Sequence, residues 1–95
     1  MPTAELLHPW AITPRHLGAC RYYLPENLPS VEAVACEREM THFLHHNELA
    51  LALGVAEAMG DCCCAPSAFW RELQLAAESM GLAKEAARYA THHET

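Results

Sequence analysis

The sequence predicts an all-α fold, a small antiparallel bundle of about four helices that follows a proline-rich, turn-rich N-terminal segment. Three observations lead there. From Ser30 onward apolar residues recur at the helical period. The hydrophobic fraction of 52% is carried largely by Ala and Leu, with few aromatics, which suits helices that approach one another closely. Five of the six prolines, Pro2, Pro9, Pro14, Pro25 and Pro29, crowd the first third of the chain. At 95 residues one hydrophobic core hides well over half of the unfolded surface. The chain therefore reads as a single domain, 1–95, with 1–29 as an irregular or short-helix wrap and 30–95 as the bundle.

The early prolines are expected to prevent long helices. One short helix is predicted from Thr13, with Thr13 as N-cap, Pro14 at the first helical position and Gly18 as the stop. Arg21 to Leu24 reads alternatively as a short extended segment. Trp10, Ile12, Leu17, Tyr22, Tyr23, Leu24 and Leu28 supply apolar surface to dock the wrap. Pro29-Ser30 then signals a helix start, with Ser30 placed to accept a first-turn N–H. Ala33, Cys36, Met40, Phe43 and Leu44 form the inward stripe of that first long helix. Asn47 is predicted to cap a second helix that buries Leu49, Ala52, Leu53, Ala56 and Met59 and ends at Gly60-Asp61, the two forming an antiparallel hairpin. Pro66 opens a third helix, with Phe69, Leu73, Ala76, Ala77 and Met80 inward and Gly81 as a left-handed stop. Leu82, Ala86, Tyr89 and Ala90 outline a shorter fourth.

Twelve acidic residues against six basic ones give a formal charge of -6, which repels phosphate-rich partners and attracts basic protein surfaces. Nucleic-acid binding is thereby disfavoured. The opening Met1-Pro2-Thr3-Ala4-Glu5 has no positive charge, and His8-Pro9 follows Leu6-Leu7, so no signal peptide is expected. The longest hydrophobic stretch, Leu49 to Met59, contains Glu57 and is too short for a bilayer. A soluble, cytoplasmic protein without membrane contact is expected, a monomer or weak dimer when free. Five cysteines, three of them consecutive at Cys62, Cys63 and Cys64, do not form a spaced disulfide framework and read as mostly free thiols. Cys20 and Cys36 read as small buried hydrophobes.

His42, His45 and His46 crowd the end of the first long helix, where i,i+3 and i,i+4 histidines can share a face. In a hairpin the triple cysteine lies at the far end of the second helix, roughly 18 Å away. The fourth helix runs back toward that loop, so the alternative metal set is Cys62, Cys64, His92 and His93, two thiolates with one or two imidazoles. Against it stand the irregular spacing and the tendency of termini to fray. No cofactor is expected. Gly18, Gly54, Gly60 and Gly81 are isolated, so no phosphate-cradling loop is present, and a bundle this small leaves little room for a catalytic cleft. Binding is expected, not catalysis. Opposite the stripe of the first long helix lie Glu32, Ala35, Glu39, His42 and His46, with Glu37, Glu48 and Asp61 nearby. As a patch they suit a basic partner.

The run THFLHHNELALALGVAEAMGD, followed after the cysteine loop by FWRELQLAAESMGL, resembles small helical immunity proteins of bacterial polymorphic-toxin and contact-dependent inhibition systems, the Maf-type branch most. The shared features are an Asn-Glu-Leu start, an alanine/leucine helix and a later helix closing with Met-Gly-Leu. The matching positions, including Leu44, Asn47, Glu48, Leu49, Trp70, Leu73, Met80 and Gly81, are capping and packing residues and cover under half of the chain. What the resemblance implies is a partner made beside a toxin that binds the cognate toxin domain, often a nuclease. Contact is then expected through Glu32, Glu37, Glu39, Glu48 and Asp61, flanked by His42 and His46. An acidic inhibitor gains steered association with a cationic cleft.

Overall fold

The ends of the helices Val31–His45, Leu49–Cys63 and Ser67–Ser79 are set by bonds in the residues that flank them. The computed structural model describes residues 9–94, with only the main chain for residues 9–11, 93 and 94. It holds α1 (Pro9–Cys20), a 3₁₀ turn (Arg21–Tyr23), α2 (Val31–His45), α3 (Leu49–Cys63), α4 (Ser67–Ser79) and α5 (Ala83–Glu94), with no strand among the described residues. Ser30 caps α2 as expected, its Oγ accepting the Ala33 N–H at 3.1 Å. Glu32 in the first turn complements the helix dipole.

Three helices in succession end in the same way. After α2, Glu48 N–H donates to Phe43 O at 2.8 Å and Asn47 N–H to Leu44 O at 3.1 Å, with Asn47 left-handed at φ 58°. After α3, Ala65 N–H donates to Gly60 O at 3.0 Å around Cys64 at φ 51°. After α4, Leu82 N–H donates to Ala77 O at 2.9 Å around Gly81 at φ 74°. These are Schellman closures, which satisfy carbonyls that the helix itself leaves without partners. Asn47, Cys64 and Gly81 stand at equal intervals along the chain. Gly81 is the left-handed stop the sequence predicts. Asn47 is not an N-cap: it closes α2, and Glu48 stands at the N-cap of α3 without a side-chain bond. Gly60-Asp61 does not end α3, which runs on to Cys63.

The helices pack as two antiparallel hairpins, α2 with α3 and α4 with α5, and α1 lies across α4 and α3. The centre is α4, whose Phe69, Trp70, Leu73, Ala76 and Ala77 are buried. Around them close Leu17, Cys20 and Leu24 from the N-terminal part, Met40 from α2, Ala52, Leu53, Ala56 and Met59 from α3, and Ala86 and Tyr89 from α5. The result is flattened, with principal extents of 45 × 29 × 19 Å. A flat assembly leaves α2 covered chiefly on the side that faces α3.

The expected count of about four helices becomes five among the described residues, because the first third holds a 12-residue helix with Pro14 inside it. Pro14 cannot donate to the carbonyl four residues back, yet one lost bond is outweighed where Leu17 and Cys20 are fully buried. Thr13 is not a cap. It is fully buried within α1 and hydrogen-bonds Ser79 of α4. Ser79 Oγ already gives its proton to Ala76 O at 2.7 Å, so Thr13 is the donor to Ser79. Arg21–Tyr23 is a 3₁₀ turn, and Tyr22 and Tyr23 point outward, 87% and 43% exposed, instead of docking. The side chain of Trp10 lies outside the described residues, as do Pro2 and the rest of 1–8.

Two glycines of α3 separate two opposite constraints. A Cβ on Gly60 would stand 2.9 Å from Phe69 Cζ and 3.0 Å from Trp70 Cζ2, both in buried rings, whereas a Cβ on Gly54 meets nothing within 4 Å. Gly60→Ala is expected to cost about 1–3 kcal/mol through overpacking. Gly54→Ala should add about 0.5–1 kcal/mol through helix propensity. Urea unfolding followed by circular dichroism gives both signs, and equal shifts in one direction would refute the packing argument.

Candidate functional site

The carboxylates divide into those that hold the fold together and those left over. Glu72 on α4 pairs with His16 Nδ1 of α1 at 2.8 Å. Glu57 on α3 accepts from Arg88 Nη2 at 2.8 Å and from Tyr89 Oη at 3.0 Å, joining α3 to α5. Glu37 on α2 accepts from Arg21 Nε, while the same guanidinium donates through Nη1 to Pro25 O at 2.9 Å and through Nη2 to Glu26 O at 3.0 Å. Arg21 thereby fastens the 3₁₀ turn, the following loop and α2 together. No such bond or ion pair engages Glu32, Glu39, Glu48 or Asp61 among the described residues, and all four are exposed.

The seven residues expected to contact a partner are therefore not one patch. Glu32, Glu39, His42 and His46 do share an exposed face of α2, since their positions fall within one sector of the helix. The rings of His42 and His46 lie 4.5 Å apart, and Glu48 follows directly at the hairpin turn. Glu37 projects from nearly the opposite side of α2 and is occupied by Arg21. Asp61 stands at the other end of α3, roughly 20 Å along the helix from Glu48. It lines a pocket of about 370 Å³ with Gly60, Cys64, Ala65, Trp70 and His92.

The return of α5 to the cysteine loop occurs as the hairpin topology requires: His92 stacks on Trp70 at 3.9 Å and lines that pocket with Cys64. Cys62 is not in it. No group of three or more metal-capable side chains comes together among the described residues, and the side chain of His93 lies outside them. All five cysteines are free thiols. Cys20 is fully buried, as expected, while Cys36 is half-buried and close to Cys62 and Cys63 across the α2–α3 seam. Burial first, then those two thiols and the carboxylates of Glu39 and Glu32, push the Cys36 thiol above its ordinary value. Its position therefore favours the protonated form.

Beside the acidic face lies a feature that the sequence reading missed. A groove of about 430 Å³ runs between the two helices of the first hairpin, lined by Cys36, Glu39 and Phe43 of α2 and by Ala50, Leu51, Gly54, Val55 and Ala58 of α3. Leu51 is 52% exposed there. The signal was present: between Leu49 and Met59 only Glu57 is charged, so α3 is apolar on all sides, and such a helix normally has every side covered.

The class defined by this fold and face is an all-helical protein with an unpaired acidic helix face beside an exposed apolar groove. The chain matches no protein-family model, no curated protein and no solved structure. No helix among the described residues is long and apolar enough to cross a membrane.

Two buried groups set the response to alkali. Burial, with Glu72 nearby, pushes the Cys20 thiol from 9.0 up to about 12, and burial, then the hydrogen bond to Glu57, pushes Tyr89 above 10.0. Both values are raised on folding, so the unfolded chain loses these protons first. The stability they contribute is complete below about pH 9 and falls as the pH rises toward 12. Denaturant midpoints should drop across that window, and the drop should be smaller in Cys20→Ala and in Tyr89→Phe. An unchanged slope in both variants would contradict the assignment.

Proposed function

We propose that this chain acts by binding, as a cytoplasmic immunity protein that neutralises a cognate basic toxin domain of nuclease type. The observation that carries the reading is the row of exposed carboxylates without internal partners, Glu32, Glu39 and Glu48, while Glu37, Glu57 and Glu72 are committed to the fold. A net charge of -6 steers the chain toward a cationic surface, and carboxylates already extended into water can meet its lysines and arginines without breaking an internal pair. A nuclease cleft is cationic because it receives phosphates, so an acidic helix laid over it competes with the substrate for the same charges. His42 and His46 flank the row and add ring contact and hydrogen bonding. The resemblance of the 41–61 and 69–82 segments to immunity proteins supports the same reading.

The test uses the tagged chain co-expressed with the products of adjoining reading frames. A basic toxin domain held at physiological salt, with its toxicity suppressed, is the expected result. Glu32→Lys, Glu39→Lys and Glu48→Lys should each slow association on the order of tenfold and flatten its salt dependence, with the helical circular dichroism unchanged. Glu37→Lys is the contrasting variant, expected to lower stability through Arg21 and to affect association less. Equal affinity across the first three variants would reject the acidic face as the contact.

A further inference from the structure

We propose that the groove between α2 and α3 seats an amphipathic helix of the partner, apolar on the face it presents and rich in Lys or Arg along its flanks. The occupant is a segment of the basic partner proposed above, and in that respect the inference rests on that reading. The first argument is the incomplete burial of α3. Its inner side is buried through Ala52, Leu53, Ala56, Met59 and Gly60, yet its outer side carries Ala50, Leu51, Gly54 and Ala58 into solvent. Apolar side chains on both sides of one helix fit a helix that is covered on both sides when in use.

The shape of the groove specifies a helix. Two antiparallel helices form its walls, with the lining running over 36–43 of α2 and 50–58 of α3, a trough roughly 12 Å long. Ala50, Gly54 and Ala58 follow one another at i,i+4 spacing, so a third helix can approach within about 8–10 Å between axes. Phe43 and Leu51 offer the larger apolar surfaces against which its side chains would pack. Helix-in-groove binding has these elements.

Charge selects the occupant. Glu39 lines the groove, and Glu32 stands two turns before it on the same side of α2. Neither has an ion pair among the described residues, and no basic side chain lines the groove. A second copy of the chain would bring its own Glu39 and Glu32 against these and add its own charge of -6. Lys or Arg flanks would instead pair with them as the apolar face enters.

The probe is a synthetic amphipathic peptide of about 18 residues, long enough to hold helical structure, with Leu and Ala on one face and Lys on its flanks. A peptide with Glu in place of Lys is the control. Binding is followed by fluorescence anisotropy and by 15N chemical-shift changes on the full chain. The Lys peptide should bind, more weakly as salt is added, with shifts at Phe43, Leu51, Gly54 and Ala58, and the Glu peptide should not.

Gly54→Gln is the decisive variant, because its Cβ meets nothing within the chain while its side chain occupies the trough. It should keep or raise the melting temperature and weaken the peptide by about tenfold or more. No binding of the Lys peptide, binding unaffected by Gly54→Gln, or shifts lying elsewhere would overturn the proposal. So would concentration-dependent self-association abolished by Gly54→Gln, since the occupant would then be a second copy. A toxin domain neutralised equally by the Gly54→Gln chain would overturn the groove and leave the acidic face standing. A peptide seated in the groove where no toxin is neutralised would uphold the groove and reject the immunity reading.

Discussion

The two hairpins meet where α3 passes against the rings of Phe69 and Trp70, and they can meet that closely because Gly60 has no side chain to interpose. Phe69 is fully buried and Trp70 nearly so, the two rings set edge to face at 5.1 Å. Trp70 also faces Tyr89 at 6.0 Å and stacks with His92, so α5 is fixed against the same side chain that α3 touches. From that contact outward, α4 is held by α3 and α5, and α1 closes a third side through Leu17, Cys20 and the Thr13–Ser79 bond. Relaxing the Gly60 approach would move two hairpins at once, since the packing is dense and a displaced ring has nowhere to go.

Two of the basic residues tie separate elements of the fold together. Six Lys and Arg face twelve Asp and Glu. Arg21 and Arg88 each serve a joint between elements, Arg21 between the N-terminal turn and α2, Arg88 between α5 and α3. Exposed pairs of this kind contribute little individually, but Arg21 also closes two loop carbonyls and so fixes the path of the chain into α2. Of the carboxylates without an ion pair among the described residues, Glu32 and Glu39 stand on α2, which packs chiefly on α3, while Glu48 precedes α3 and Asp61 lies near its end.

That same peripheral placement explains why α2 and α3 together carry both an acidic face and an apolar trough. α2 packs mainly on α3, and the central α4 draws α3 inward by its other side. The seam between the two helices is therefore closed on the inside and open on the outside. Cys36 lies in that seam, near Cys62 and Cys63, protonated by its burial and its acidic neighbours.

Much of the helical skeleton was legible in the sequence because its signals are local. Ser30 as cap, Gly81 as stop and the inward residues Met40, Ala52, Leu53, Ala56, Met59, Phe69, Leu73, Ala76 and Ala77 depend on spacing within one helix. The sequence by itself also determined the acidic balance and the exposed face of Glu32, Glu39, His42 and His46. Tertiary structure decided the rest, for reasons that span long separations. Burial against α4 carried α1 through Pro14, and Arg21 engages Glu37 from outside α2. Gly60 became a packing residue in place of a stop because Phe69 and Trp70 arrive from another helix. The groove belongs to the same group: whether an apolar side of α3 is core or surface depends on which helices remain to cover it, and periodicity within α3 holds no record of that.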